Sequence, residues 1–273
     1  MVRTGCRCIV AFALFTSAAA AALDVTVVPS TRYQIMRGWG GTPIAAQSLK
    51  PALRDEMWDV LTDDLGLTRA RLGPQGWEYQ NDNGDPFSLN AAALDTSQVD
   101  RAMTELIVPF RQRVLARGEP FSLYVSPSFY NSGGSGEAQP WLTESAGEYT
   151  EYALSVLAHL RTTYGVDADL WSVCNEANNA NVFSPQVVQR IAHELGPRLQ
   201  AAGYPTRLEF PEAVNADAAW NFVQAAQGDL RLWPYVGLIS WHLYGSNTQR
   251  PALLAFAQTK GIPTGQTEFL SAT

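Results

Sequence analysis

The 273-residue sequence predicts an α/β fold, a (β/α)8 TIM barrel that is C-terminally truncated after its seventh strand. Two observations predict it. Strand and helix signals alternate from end to end with no linker-like segment between them. Six of the seven strand candidates also carry polar residues at their C-terminal ends: Arg71, Ser126, Asn175 with Glu176, Glu212, His242 with Tyr244, and Glu268. Alternation alone also fits a doubly wound sheet. An open sheet, however, would furnish only its switch point in this way, whereas a barrel gathers its site on that whole face.

The elements follow in order. Arg3 and Arg7 precede an apolar run, Cys8 to Phe15, and then Thr16-Ser17 and the alanines Ala18 to Ala22. A basic start, a short apolar run and small residues of A-x-A type predict a secretory signal peptide over residues 1–22. Residues 23–273 then form one barrel-type domain, incomplete at its C-terminus, of a protein released outside the cell or into the periplasm. The apolar run is too short to span a bilayer, and no later stretch is long enough.

"YQIMRGWGG" (Tyr33 to Gly41) predicts strand 1, closing on a glycine-rich turn. Leu53, Met57, Val60, Leu61 and Leu65 then recur at helical spacing between Pro51 and Gly66. "LTRARLG" (Leu67 to Gly73) is strand 2, and a helix runs from Ser97 to Gly118. "FSLYVSPSF" (Phe121 to Phe129) is strand 3, followed by a helix ending at Gly165 and by "ADLWSVCNE" as strand 4. Ser184 and Pro185 have the chemistry of an N-cap and a first helical residue. Strands 5 to 7 are "TRLEFPE", "VGLISWHLYG" and "IPTGQTEFL", with weaker helical stretches around Ala218 to Ala226 and Pro251 to Thr259. The sequence stops at Thr273, where an eighth strand and helix are expected.

Composition narrows the partners. The formal net charge is −7; without Arg3 and Arg7 the 19 basic residues become 17 against 26 acidic ones, about −9. An acidic surface disfavours nucleic acid and anionic membranes as partners. Removing residues 1–22 also leaves Cys174 as a lone cysteine, so no internal disulfide is available and a large core must hold the fold. On its buried strand Cys174 is read as a small apolar filler. Three histidines without H-E-x-x-H or paired-cysteine spacing predict no metal site, and no cofactor motif is present. "NSGGSGE" (Asn131 to Glu137) lacks the Lys-Ser/Thr of a phosphate loop and the second glycine of a G-x-S-x-G elbow, so it is read as a mobile loop.

Burying an unpaired carboxylate is costly, so Glu176 at the end of an apolar strand needs a partner or a task. Adjacent residues on one strand cannot face each other across a substrate, so a working pair must come from two strands. Glu176 on strand 4 and Glu268 on strand 7 would face each other across a closed barrel's mouth. Glu212 in "FPEA" is the main rival and is read as a pocket-wall or structural residue. His159 and His193 lie in helical patterns and are read as surface or packing residues. Trp58 and Trp220 are read as core, and Trp77, Trp141 and Trp241 as either mouth or core residues, core packing being at least as good a reading for each.

In these motifs the sequence resembles clan A of the glycoside hydrolases, and most closely family 30, over about Tyr33 to Leu270. "NEAN" resembles the clan's strand-4 Asn-Glu pair, which implies Glu176 as acid/base and Asn175 as a ligand of the sugar 2-hydroxyl. "TEF" resembles the strand-7 nucleophile, implying that role for Glu268. "WHLYG" resembles the strand-6 His-x-Tyr, implying that Tyr244 bonds the nucleophile and that His242 lines the pocket with Trp241. "GWGG" resembles the family's turn after strand 1, with Trp39 in place of Phe. "RARLG" resembles the strand-2 arginine segment, with Arg71 favoured over Arg69 beside the nucleophile. "NEA" departs from the commoner Asn-Glu-Pro, and strand 8 and the family's side β-sandwich are not found. The resemblance implies a secreted retaining β-glycosidase, monomeric when complete and acting on a β-linked oligo- or polysaccharide. An endo-acting xylanase or β-glucanase is favoured over an exo-β-glycosidase or glucosylceramidase. A non-catalytic saccharide-binding protein or inactive fragment is the alternative. For the chemistry, Arg71 is expected to hold Glu268 ionised, and neighbouring carboxylates to keep the acid protonated.

Overall fold

A computed structural model of the chain describes residues 26, 28, 30, 36–42, 47–74, 76–78, 81–129, 140–180 and 182–269. The signal-peptide expectation over 1–22 and the loop 131–137 lie outside the described residues. The chain divides into two units, Met1–Arg37 and Gly38–Thr273, and the sheet belongs to the second.

Seven parallel strands are hydrogen-bonded in chain order: β1 (Gly40–Gly41), β2 (Arg69–Leu72), β3 (Ser122–Val125), β4 (Leu170–Ser172), β5 (Arg207–Ala213), β6 (Val236–His242) and β7 (Thr264–Glu268). Consecutive parallel pairing with helical crossovers is the arrangement of a (β/α)8 barrel without its last unit. Among the described residues β1 and β7 are the two edges. Residues 33–35 of the expected strand 1 lie outside the described residues; among the described ones the glycine pair beside Arg69 and Ala70 enters the ladder. Gly40 is required there: a Cβ would sit 2.5 Å from the Arg69 carbonyl oxygen.

The connecting helices are α1 (Pro51–Asp59), α2 (Ser97–Ala102), α3 (Val108–Ala116), α4 (Pro140–Glu144), α5 (Ala146–Tyr164), α6 (Pro185–Ala201), α7 (Ala216–Ala226) and α8 (Arg250–Lys260). Capping sets several of these boundaries. Ser145, Ser184 and Asn215 each accept a backbone N–H of the first turn of α5, α6 and α7, and Gly165 ends α5 in the left-handed conformation. The single helix predicted from Ser97 is interrupted by a π-helical turn, Met103–Ile107, between α2 and α3. Pro109 has no N–H for the Glu105 carbonyl, and the helix widens over the turn that contains it. Helix α4 was not signalled in the sequence. No helix of the described residues is long and apolar enough to cross a membrane.

The core is one continuous cluster between sheet and helices, and Trp58, Trp77, Trp171, Tyr149 and Phe183 are its largest fully buried side chains. Of the two positions open to Trp77, the core is the one it takes: it is 1% exposed and donates its indole N–H to Ser155 at 2.8 Å, the arrangement a buried tryptophan needs.

Candidate active site

Packing fixes the end of β4. Tyr149 of α5 donates its hydroxyl to the Val173 carbonyl at 2.5 Å and accepts the Trp171 indole N–H at 3.1 Å. These bonds clamp the chain two residues before Asn175. The Asn175 N–H then bonds the Pro127 carbonyl at 2.7 Å, and the Glu176 N–H bonds the Glu212 carbonyl at 2.9 Å. Glu176 and Glu212 both adopt left-handed backbone, φ 51° and 53°. Such non-glycine residues cost on the order of 1–3 kcal/mol each and persist where the surroundings over-determine them. Here each turns its side chain off a strand end into the barrel mouth.

Arg71 joins four strands. Its guanidinium donates to Glu268 of β7 and to the Asn175 amide oxygen, and it reaches Ser126 Oγ at 3.0 Å. It also lies 3.0 Å from Glu212 Oε1. Ser126 completes the circuit by donating to Glu212 Oε2 at 2.6 Å. Burial alone would lower the Arg71 pKa, but Glu212 and Glu268 raise it, so the cation is permanent. Arg69 lies one pleat lower and bonds the Tyr124 hydroxyl, which settles Arg71 as the cation beside Glu268.

The predicted pair comes together. Glu176, His242 and Glu268 each place one ligand-type atom within 4.8 Å of the others. Tyr244 donates to Glu268 Oε1 at 3.2 Å, so Glu268 is held from two sides. Glu176 accepts from Asn179 Nδ2 at 3.0 Å and faces His242 Nδ1 at 2.8 Å. Arg71 and His242 supply positive charge here, committing these carboxylates to ion pairs rather than to a metal ion. Beside them is a cavity of about 670 Å³, bounded by Gly40 and Gly41 on one side and by Gln266 to Phe269 on the other.

Two expectations need correction. A protonated Glu176 was expected from neighbouring carboxylates. Burial does push its carboxyl up, but the His242 hydrogen bond and charge, with Asn179 and Arg71, outweigh it and hold the group below its ordinary value. His242 was expected to line the pocket, yet it is fully buried behind Glu176. Burial lowers its pKa, but Glu176 and Glu212 together raise it to about 9, so it is an imidazolium at neutral pH.

Asn175, Arg71 and Tyr244 line the cavity as expected. The two tryptophans are not brought there. Trp241 is 5% exposed and points to the face of β6 opposite His242, into the core. Trp39 is 59% exposed and outside the cavity lining.

Asn179 and Glu209 escaped the sequence reading, while Glu212, read as a pocket-wall or structural residue, is structural. Asn179 orients Glu176, and Glu212 is the fully buried centre of the Arg71–Ser126–His242 circuit. Glu209 is buried below it, and burial and the Glu212 charge push its carboxyl up. Away from the mouth, Asp82, Glu148 and Glu151 also place one oxygen each within 4.8 Å of one another, a geometry that could receive a hard cation.

Neither a protein-family model nor a curated protein matches the sequence. Solved structures do. The endo-beta1,6-glucanase BT3312 superposes with a TM-score of 0.64 at 17% identity, covering 91% of this chain and 60% of that one. SrfJ from Salmonella typhimurium gives a TM-score of 0.61 at 17% identity, covering 83% and 54%. A GH39 enzyme from Xanthomonas axonopodis pv. citri gives 0.50 at 13% identity, covering 86% and 50%. The chain thus spans between 50% and 60% of these structures' lengths. At such identities the likeness establishes the fold alone, a barrel of the kind used by glycoside hydrolases.

Proposed function

We propose that this chain carries the catalytic barrel of a secreted, retaining β-glycoside hydrolase of the family 30 type, endo-acting on a β-linked glucan or xylan. The observation that carries the reading is the Glu176–Glu268 approach within 4.8 Å. Retaining enzymes hold their two carboxyl groups roughly 5–5.5 Å apart and inverting ones roughly 6.5–9.5 Å. Carboxylate oxygens this close favour the retaining geometry, in which one carboxylate attacks the sugar directly.

Glu268 is the nucleophile. Arg71 pairs with its carboxylate, and the Tyr244 hydroxyl occupies one oxygen until the glycosyl bond forms. Glu176 delivers a proton to the leaving oxygen and then takes one from the incoming water. Asn175, fixed by Arg71, lies between them at the wall where the sugar 2-hydroxyl would sit. No cofactor has a step in this sequence.

Proton NMR of the first-formed product from a β-glycoside should show retained configuration. Glu268→Gln should abolish turnover of every substrate. Glu176→Gln should spare aryl glycosides with good leaving groups, and azide should rescue Glu176→Ala with a β-glycosyl azide as product. An inverted product would exclude the double displacement. Saccharide binding without turnover would favour a non-catalytic binding role.

A further inference from the structure

We infer that the proton spent at the leaving oxygen is held between His242 and Glu176, and that Glu212 is the positioning residue that fixes which imidazole nitrogen can carry it. The inference rests on the reading of Glu176 as acid/base.

His242 is fully buried between carboxylates on both nitrogens. Nδ1 lies 2.8 Å from Glu176 Oε1 and 3.9 Å from Glu268 Oε1, while Nε2 lies 3.7 Å from Glu212 Oε1. The Nε2–Oε1 separation is longer than a hydrogen bond. Yet Nε2 is buried without a hydrogen-bond partner among the described residues, and it faces Glu212 Oε1, an anionic oxygen that Arg71 also pairs at 3.0 Å. The other charged or titratable groups near this cluster are Arg71 of β2, which pairs Glu212 and Glu268, Glu209 of β5, Cys174 after β4, Tyr149 of α5, and Tyr244 after β6, whose ring meets the imidazole edge-on.

A neutral imidazole has one N–H. Placed on Nδ1, it leaves the Nε2 lone pair against the Glu212 carboxylate. Placed on Nε2, it leaves the Nδ1 lone pair against an ionised Glu176. Two arrangements avoid both conflicts: imidazolium with ionised Glu176, or neutral imidazole with protonated Glu176. They differ only by one proton moved from Nδ1 to Oε1, and Nε2–H faces Glu212 in both. Glu212 therefore keeps Nδ1 as the exchanging nitrogen. The site's other cation, Arg71, and the Ser126 hydroxyl hold Glu212 ionised for this task.

The cycle balances. The Nδ1 proton passes to Glu176, and Glu176 protonates the glycosidic oxygen as its bond to C1 breaks and Glu268 bonds C1. His242 is then neutral. When water attacks C1 and Glu268 leaves, Glu176 takes the water's proton and returns it to Nδ1.

Nitrogen-15 NMR of the three histidines, with His242→Gln for assignment, tests this directly. At pH 7 the wild type should show both His242 nitrogens protonated, with a titration near pH 9. In Glu212→Gln that titration should fall by at least about one pH unit, and Glu212→Asp should retain part of it. The alkaline limb of kcat/KM should fall in parallel for alkyl glycosides that need protonation, but not for 2,4-dinitrophenyl glycosides that do not. A neutral His242 at pH 7 would overturn the inference, as would a titration unchanged in Glu212→Gln or Glu212→Asp. The wild-type spectrum decides even if Glu212→Gln fails to fold. If no β-glycoside is hydrolysed, the functional proposal fails, while the spectra still judge the proton's position.

Discussion

Buried ionisable side chains give this protein a pH dependence whose sign can be worked out. His242 is raised to about 9 in the folded state. Its contribution is complete below the unfolded value of about 6.5 and is lost as pH climbs through 9. Glu78 and Glu151 are pushed by burial to about 7, so they oppose folding increasingly as pH rises from about 4.5 to 7. Glu176 and Glu212 are depressed, so their contribution is present above about 4.5 and lost as pH falls. Calorimetry should therefore find the highest Tm near pH 5, a decline toward pH 9, and a steeper fall in acid. His242→Gln should remove the upper part of the alkaline decline. A Tm that rises from pH 5 to 8 would contradict these assignments. At this scale Glu176 was legible because a carboxylate closing an apolar strand demands explanation. Glu212 was legible as a structural residue, but its partners were not, because "FPEA" shows nothing of the arginine, serine and histidine that three other strands bring to it. Tryptophan positions were equally opaque: the same ring suits a core and a sugar subsite, and only the strand's facing separates Trp241 from His242.

At the scale of elements, α6 approaches the wall of the barrel through a glycine. A Cβ on Gly196 would sit 2.4 Å from Tyr235 Cγ, so the helix is seated against that ring. Gly196→Ala should destabilise the fold by about 1–3 kcal/mol despite the better helix propensity of alanine. Urea unfolding would read this as a lower midpoint with an unchanged slope, and an unchanged or higher midpoint would show that Tyr235 yields freely. The end of α5 and the start of α6 were legible, because Gly165 and Ser184 are chemical end-marks, whereas the Ser145 cap of α5 was not read. The π-helical turn after α2 was not, since Pro109 stands in an otherwise unbroken helical period. Of strand 1, Gly40 and Gly41 are the described residues that pair with β2, glycines permitting the close approach to Arg69.

Among the described residues the sheet has seven parallel strands with β1 and β7 as edges, and its stability should be graded accordingly. Nearly every residue of β5 and β6 is buried, whereas β1 is exposed and β7 is at best half-buried. Hydrogen exchange should give the slowest amides in β5 and β6 and the fastest strand amides in β1 and β7; uniform protection would contradict this gradient. The gradient bears on function because Glu268 ends β7, held there by Arg71 and Tyr244 from better-packed strands. The most direct test of the proposed double displacement is to trap its intermediate. Incubation with a 2-deoxy-2-fluoro β-glycoside bearing a good leaving group, followed by peptide mass spectrometry, should find one sugar on the peptide containing Glu268 and none in Glu268→Gln. A label on Glu176, Glu212 or any other residue, or hydrolysis of the parent glycoside with no label at all, would contradict the assignment of Glu268 as nucleophile.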